Sequence, residues 1–308
     1  MRSNTDWFRD AGWGVFTHFL SATGVPVDAW NERVDRFDVD GLARQLASVG
    51  ARYYFITLGQ NSGHYCAPNE AYDRYVGIVP SKCSRRDLVA DLYDALSPHG
   101  IRLLVYFPSG APDQEPQAME RLKWTKYDYG KPGARMPEFQ RMWEDVIRCW
   151  SLRWRRKVAG WWFDGVYHAD TMYRFPDPPN FASFAAAAKV GNPESIIAFN
   201  PGVTTPVISL SEHEDYTAGE INDTLPAYEA YNHRPGRFVD GAQYHVLAFL
   251  GERWAAGPPR FPDELVIGYT KHVNGHDGVL TWEVPITEHG IILPPFVDQL
   301  AALGRAVG

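Results

Sequence analysis

The chain has 308 residues, 45% of them hydrophobic and 14% aromatic, with 30 basic against 37 acidic side chains and a formal net charge of −7. The basic cluster at residues 153–157 closes a predicted helix, where cations complement the helix dipole, so no nucleic-acid partner is expected. Cys66, Cys83 and Cys149 are too scattered for a disulfide framework or a CxxC metal site. No apolar run approaches the ~18 residues of a membrane span, and residues 1–6 lack the apolar core of a secretory signal, so a cytoplasmic location is expected.

Short apolar runs alternate with amphipathic segments along the whole length. The first run, residues 12–19, precedes a helix at 39–49 with Asp38 or Asp40 as N-cap and Gly50 as its stop. The β-branched and aromatic run 52–58 reads as a strand. Leu88, Val89, Leu92 and Leu96 fall on one face of a helix over 85–96, and His99-Gly100 ends it. Residues 101–107 form a near-continuous apolar strand. A long helix over 137–157 leads to the strand Trp161-Trp162-Phe163-Asp164. An Ala-rich helix at 180–190, a strand at 195–200 and a strand-like piece at 214–218 follow. The spacing then predicts a strand over 238–247, a helix over 262–273, a strand over 278–284 and a closing helix over 294–307. About eight strand–helix alternations with uniformly apolar strands predict a single (β/α)₈ TIM-like barrel over residues 1–308. No GxGxxG follows the first strand, which leaves an open dinucleotide-binding sheet without support.

In such a barrel, chemistry sits at the C-terminal ends of the strands. Those ends carry His18, Gln60-Asn61 with His64 just beyond, Asp164, Asn200, Glu220, and Tyr244-His245. Asp164 ends an aromatic strand bounded by Gly160 and Gly165. It reads either as a cap at a strand-to-helix turn or as a carboxylate facing a cleft, since burying it unpaired costs several kcal/mol. Bland readings exist for the others too: His18 as a satisfied barrel histidine, Asn200 before Pro201-Gly202 as a turn residue, Glu212 and Glu214 as solvated charges. The collective placement carries the argument. Eleven tryptophans exceed what a core requires, and such rings stack on sugar faces, although most of them are expected to fill inter-helix space. Neither HExxH nor a close Asp/His cluster appears, so no metal and no cofactor are expected.

These motifs resemble the α-L-fucosidases, the retaining glycosidases of glycoside hydrolase family 29. Trp7-Phe8 through Trp13-Gly14-Val15-Phe16-Thr17-His18-Phe19 is similar to the family's opening WF…FGIFIHW, and residues 49–54 to its AGAKYVV strand. Trp162-Phe163-Asp164-Gly165 matches WFDG, residues 215–220 resemble the segment ending in the acid/base glutamate of some members, and residues 278–285 resemble GNLLLNVGP. The resemblance implies an exo-acting, retaining hydrolase of glycosides or oligosaccharides, with Asp164 as nucleophile and Glu220 as acid/base, Glu214 or Glu212 being the alternatives. It further implies sugar contacts from His18, His64 and Asn200, stacking by Trp30, Trp254 or Trp282, and an apolar surround from Trp161 or Trp162, of which strand alternation lets at most one face the site; Tyr244, on or near the seventh strand, is a further candidate contact. Gln60-Asn61 replace the family's paired histidines, which opens a different sugar as an alternative, alongside a carbohydrate-binding barrel without catalysis. The family's C-terminal β-sandwich is not expected within this sequence.

Overall fold

Apolar runs without polar alternation become the strands of one parallel sheet covered on both faces. The structure is a computed structural model that describes residues 2–126, 133–226 and 236–308. In chain order it runs α1 (Asp6–Ala11), β1 (Trp13–Thr17), α2 (Val27–Asp35), α3 (Val39–Val49), β2 (Tyr53–Thr57), α4 (Glu70–Val76), α5 (Leu88–Leu96), β3 (Arg102–Pro108), α6 (Pro116–Arg121) and α7 (Pro137–Trp154). It continues with β4 (Gly160–Asp164), α8 (Ala169–Met172), α9 (Phe181–Lys189), β5 (Ile196–Phe199), the two-residue strands β6 (Phe238–Val239) and β7 (Ala242–Gln243), β8 (His245–Phe249), α10 (Asp263–Asn274), β9 (Val279–Glu283) and α11 (Pro294–Val307). Seven strands form the parallel sheet, in the order β5-β4-β3-β2-β1-β9-β8. Among the described residues no helix is long and apolar enough to cross a membrane.

Period-two alternation divides the core. Phe16, Phe55, Tyr106, Trp162, Ala198 and Leu247 share the inner face with Phe8 of α1. Their neighbours Val15, Ile56, Val105, Trp161 and Phe163 point outward to the helices. There Trp143 stacks on Phe107 with ring centres 4.8 Å apart, and Trp154 meets Trp161 at 6.0 Å. Most of the tryptophans are therefore packing. Side-chain caps start several helices: Asp38 accepts from Gly41 N, Asn69 from Tyr72 N, Asp87 from Ala90 N, and Asn180 forms a capping box with Ser183.

The expected strand at 214–218 is not regular. Residues 214–221 nevertheless hydrogen-bond toward both edges of the sheet. Asp215 N donates to Ile197 O at 2.7 Å on one side, while on the other Thr217 N donates to Gln243 O and Ile221 N to Leu247 O, each at 3.0 Å. Two carboxylates stand in for ladder carbonyls, with Ile197 N donating to Asp215 Oδ2 at 2.9 Å and Phe199 N to Glu214 Oε2 at 3.2 Å. Single bridges, Tyr216 to Gln243 and Glu220 to Leu247, replace a continuous ladder. The run expected at 238–247 also divides. It becomes the small β6–β7 hairpin, turned at Asp240 with φ +48°, and then β8.

Candidate active site

Because the seven sheet strands are parallel, their C-terminal ends share one rim, and the polar residues gather there. Asp164 is the last residue of β4. Gly165 follows with φ +80°, a left-handed conformation open to glycine, and its N–H turns back onto Asp164 Oδ1 at 2.8 Å. The same oxygen accepts from Asn200 Nδ2 at 2.8 Å, and Oδ2 accepts from the Tyr106 hydroxyl at 2.5 Å. Gln60 Nε2 in turn donates to the Tyr106 oxygen at 2.6 Å. Burial, and then the charge of Asp164, push the Tyr106 phenol well above its ordinary range, which keeps it a donor.

Asn200 Nδ2 also donates to Glu220 Oε2 at 2.7 Å. Two hydrogen bonds from one nitrogen limit the separation of the bonded carboxylate oxygens to roughly 5.5 Å. Their environments differ. Glu220 is pushed up to about 7, first by burial and then by the charge of Asp164, while the Asn200 bond and His18 oppose the rise. Asp164 by contrast accepts three hydrogen bonds. This places a carboxyl whose proton is held to higher pH beside a carboxylate lined by three donors.

Both carboxylates open onto a cavity of about 460 Å³, within the range of small-molecule sites. Its polar wall is His18 and Gln60. Its aromatic wall is Phe16, Tyr106, Trp162 and Trp254, with Leu20, Arg33, Leu247, Ala255 and Ile286 closing the outline. Tyr106 is stacked between Trp162, 5.4 Å away, and Phe16, 5.9 Å away. A second hollow of about 280 Å³ adjoins it, sharing Gln60, Tyr106 and Asp164 and lined further by Asn61, Trp124 and Tyr167. Among the described residues no group of three or more His, Cys, Asp or Glu is placed to hold a metal ion.

No protein-family model and no curated protein sequence matches the chain. Solved structures do. The endo-fucoidan hydrolase MfFcnA4 of glycoside hydrolase family 107 aligns over 97% of this chain with TM-score 0.72 and 18% identity. The chain spans 53% of that protein's length. A second family 107 endo-fucoidan hydrolase, P5AFcnA, aligns over 98% of this chain and 92% of its own, with TM-score 0.73 and 16% identity. An α-L-fucosidase of family 29 from Bacteroides thetaiotaomicron, trapped as a covalent intermediate, aligns over 99% and 75% of the two chains, with TM-score 0.63 and 17% identity. The fold is that of these glycoside hydrolases.

Within this glycoside hydrolase fold, the expected site residues separate into two groups. Asp164, Glu220, His18, Gln60, Trp162 and Trp254 line the main cavity, Asn61 lines the adjoining one, and Asn200 bridges the carboxylates. Trp30, His64, Tyr244 and Trp282 line neither. Trp30 lies in the outer core and spends its indole N–H on Tyr65 O at 3.0 Å. His64 is fully buried beside Trp30 and is pushed down to about 4, by burial and then by Lys82. Tyr244 packs in the outer core, its ring against Gly278, and Trp282 donates to Thr270 Oγ1 at 3.0 Å. Of the alternative acids, Glu212 is solvent-exposed, and Glu214 is sealed in the 214–221 segment, bonded to backbone N–H groups of Phe199 and Leu210. Two site residues escaped the sequence reading. Tyr106 hid within an apolar strand, and Glu283 sat in a run read as the last strand. A lone carboxylate in an otherwise apolar strand was the available signal for Glu283.

Proposed function

We propose that the protein is a retaining glycoside hydrolase of a (β/α)₈-type barrel, with segment 214–221 in the place of a regular strand, acting on an α-L-fucosidic or closely related bond. The observation that supports it best is the single Asn200 amide nitrogen bonded to both carboxylates. A separation of ~5–5.5 Å suits direct attack and a covalent intermediate, whereas inverting enzymes leave ~6.5–9.5 Å for a water. Asp164 attacks the anomeric carbon while Glu220 gives its proton to the departing oxygen, so the C–O bond breaks as the glycosyl–Asp164 ester forms. Glu220, now ionised, takes a proton from water, which attacks the same carbon and releases Asp164. The family 29 neighbour was itself trapped as a covalent intermediate, which agrees with that course for that protein.

Aromatic rings interleaved with His18, Gln60 and the two carboxylates suit a sugar, which offers apolar C–H faces as well as hydroxyls. Gln60 donates its amide to Tyr106, and this supports a second reading, a sugar other than fucose handled by the same chemistry. A panel of aryl glycosides, covering α-L-fucoside, β-D-galactoside, α-L-arabinoside and α-L-rhamnoside, separates the two. Asp164→Gly tests the mechanism on whichever substrate is turned over. Activity should be lost and then partly restored by azide, giving a glycosyl azide of inverted anomeric configuration. Undiminished activity in Asp164→Gly would overturn the assignment, and a wild-type protein inert on every glycoside that it binds would favour a binding-only barrel.

A further inference from the structure

Glu283 ends β9, and its backbone is paired to β1 at Phe16 and to β8 at Phe249. Its side chain is fully buried and does not line the cavity. One oxygen, Oε1, makes two contacts, each to a residue that lines the cavity. It lies 3.0 Å from His18 Nδ1 and accepts the Ala255 N–H at 3.0 Å. The other oxygen, Oε2, is buried with no hydrogen-bond partner among the described residues. A carboxylate held this way costs stability that an apolar side chain of similar size would not. Folding alone therefore does not account for Glu283.

The two partners explain what the cost supports. Ala255 sits in a two-residue turn, closed by Arg253 N to Ala256 O at 3.3 Å and Ala256 N to Arg253 O at 3.1 Å. Its φ of +58° is one that a non-glycine residue holds only when its surroundings enforce it. That turn presents Trp254 to the cavity, its ring 5.8 Å from His18 in an edge-on arrangement. The Ala255 N–H has no choice but to donate, so Oε1 must accept, and its remaining lone pair takes the Nδ1 proton of His18. This leaves His18 Nε2 as the ring nitrogen available to the cavity.

Resting on the glycosidase reading above, we infer that Glu283 is a positioning residue: through one carboxylate oxygen it sets the tautomer of His18 and the Trp254–Ala255 turn, and so fixes two of the side chains that line the sugar cavity. The acceptor oxygen matters rather than the charge. Glutamine in its place keeps an acceptor there, because the Ala255 N–H orients its amide; methionine fills the space without one.

The test compares Glu283→Gln and Glu283→Met in the full chain, using the aryl glycoside that the wild type turns over best. Glu283→Met should raise KM about tenfold or more and change kcat much less, with a melting temperature no lower than that of the wild type. Glu283→Gln should stay within about threefold of the wild type in KM. In a His18→Ala background the Glu283→Met effect should shrink, because one of the two contacts is already gone. Nitrogen-15 NMR of the histidine rings, with His18 assigned by its substitution, should show Nδ1 protonated in wild type and Glu283→Gln and a tautomer mixture in Glu283→Met. An unchanged KM in Glu283→Met, an equal loss in both variants, or an unaltered His18 tautomer would overturn the inference. Should Glu283→Met fail to fold, a wild-type His18 protonated at Nε2 rather than Nδ1, or a loss in Glu283→Gln well beyond threefold, would still overturn the inference. If the wild type hydrolyses no glycoside, the functional reading fails, and the NMR arm still tests Glu283.

Discussion

One amide nitrogen holds Asp164 and Glu220 in a single electrostatic unit, so a change at either carboxylate is felt by the other. The charge of Asp164 is the second cause, after burial, of the raised value of Glu220. Removing a negative neighbour favours ionisation. In Asp164→Asn the Glu220 midpoint should therefore fall from about 7 toward the ordinary glutamate value of 4.5, stopping short of it because burial persists. Carboxyl carbon-13 NMR of glutamate-labelled protein measures this directly, and an unmoved midpoint would sever the proposed pair. In the wild type the same group acts as the acid, so kcat/KM should decline as pH rises through about 7. Such coupling also explains why Asp164 was legible from sequence and its partners less so. A carboxylate ending an aromatic strand between two glycines is visible in six letters. That Tyr106 and Asn200 would converge on it depends on the registers of β3 and β5 beside β4, where Tyr106 faces Trp162, Pro108 faces Asp164, and Phe199 faces Phe163.

At the scale of elements, the regular strands were readable because apolar runs bounded by turn residues have few other uses. Helices with strong caps were readable too, as the Asp38 cap and the Gly50 stop of α3 show. The 214–221 segment was readable only as a strand-like piece at 214–218; its irregularity was not, because part of its pairing runs through side chains that no strand periodicity encodes. Asp215 is fully buried, accepts from Ser3 N and Ile197 N, and pairs with Lys189 Nζ at 2.6 Å. It thus ties α9, β5 and the N-terminal arm to the segment that carries Glu220. Short helices such as α1 and α4 were missed for a different reason: with six and seven residues they show too few turns for a period to emerge. Leaving one member of a buried ion pair uncompensated costs about 3–5 kcal/mol. Asp215→Asn should lower the unfolding free energy by about that amount in urea titrations, and it should reduce activity by loosening Glu220. Full stability in the variant would show that the segment is held by backbone bonds alone.

The whole molecule carries buried titratable groups whose pH effects oppose one another. Glu214 and Glu220 are pushed up to about 7, and His245 and His64 down to about 4, burial being the first cause each time. A glutamate raised in the folded state contributes stability that is complete below its unfolded value of 4.5 and is lost as pH rises through about 7. A histidine lowered in the folded state does the reverse: its contribution is present above 6.5 and is lost as pH falls through about 4. Over the shared part of these windows the two pairs cancel, and their joint contribution is nearly flat. Glu214→Gln unmasks one side. Glutamine has one acceptor where Glu214 Oε1 and Oε2 accept from Leu210 and Phe199, so at low pH the variant is the less stable of the two by the loss of a hydrogen bond. It no longer titrates, however, so the about 3 kcal/mol that the wild type loses through Glu214 between pH 4.5 and about 7 is absent. The stability gap between the two proteins should therefore move in favour of the variant by about 3 kcal/mol across that window, measured by urea unfolding at successive pH values. A gap independent of pH would mean that Glu214 titrates at an ordinary value, and its burial would then not govern its ionisation.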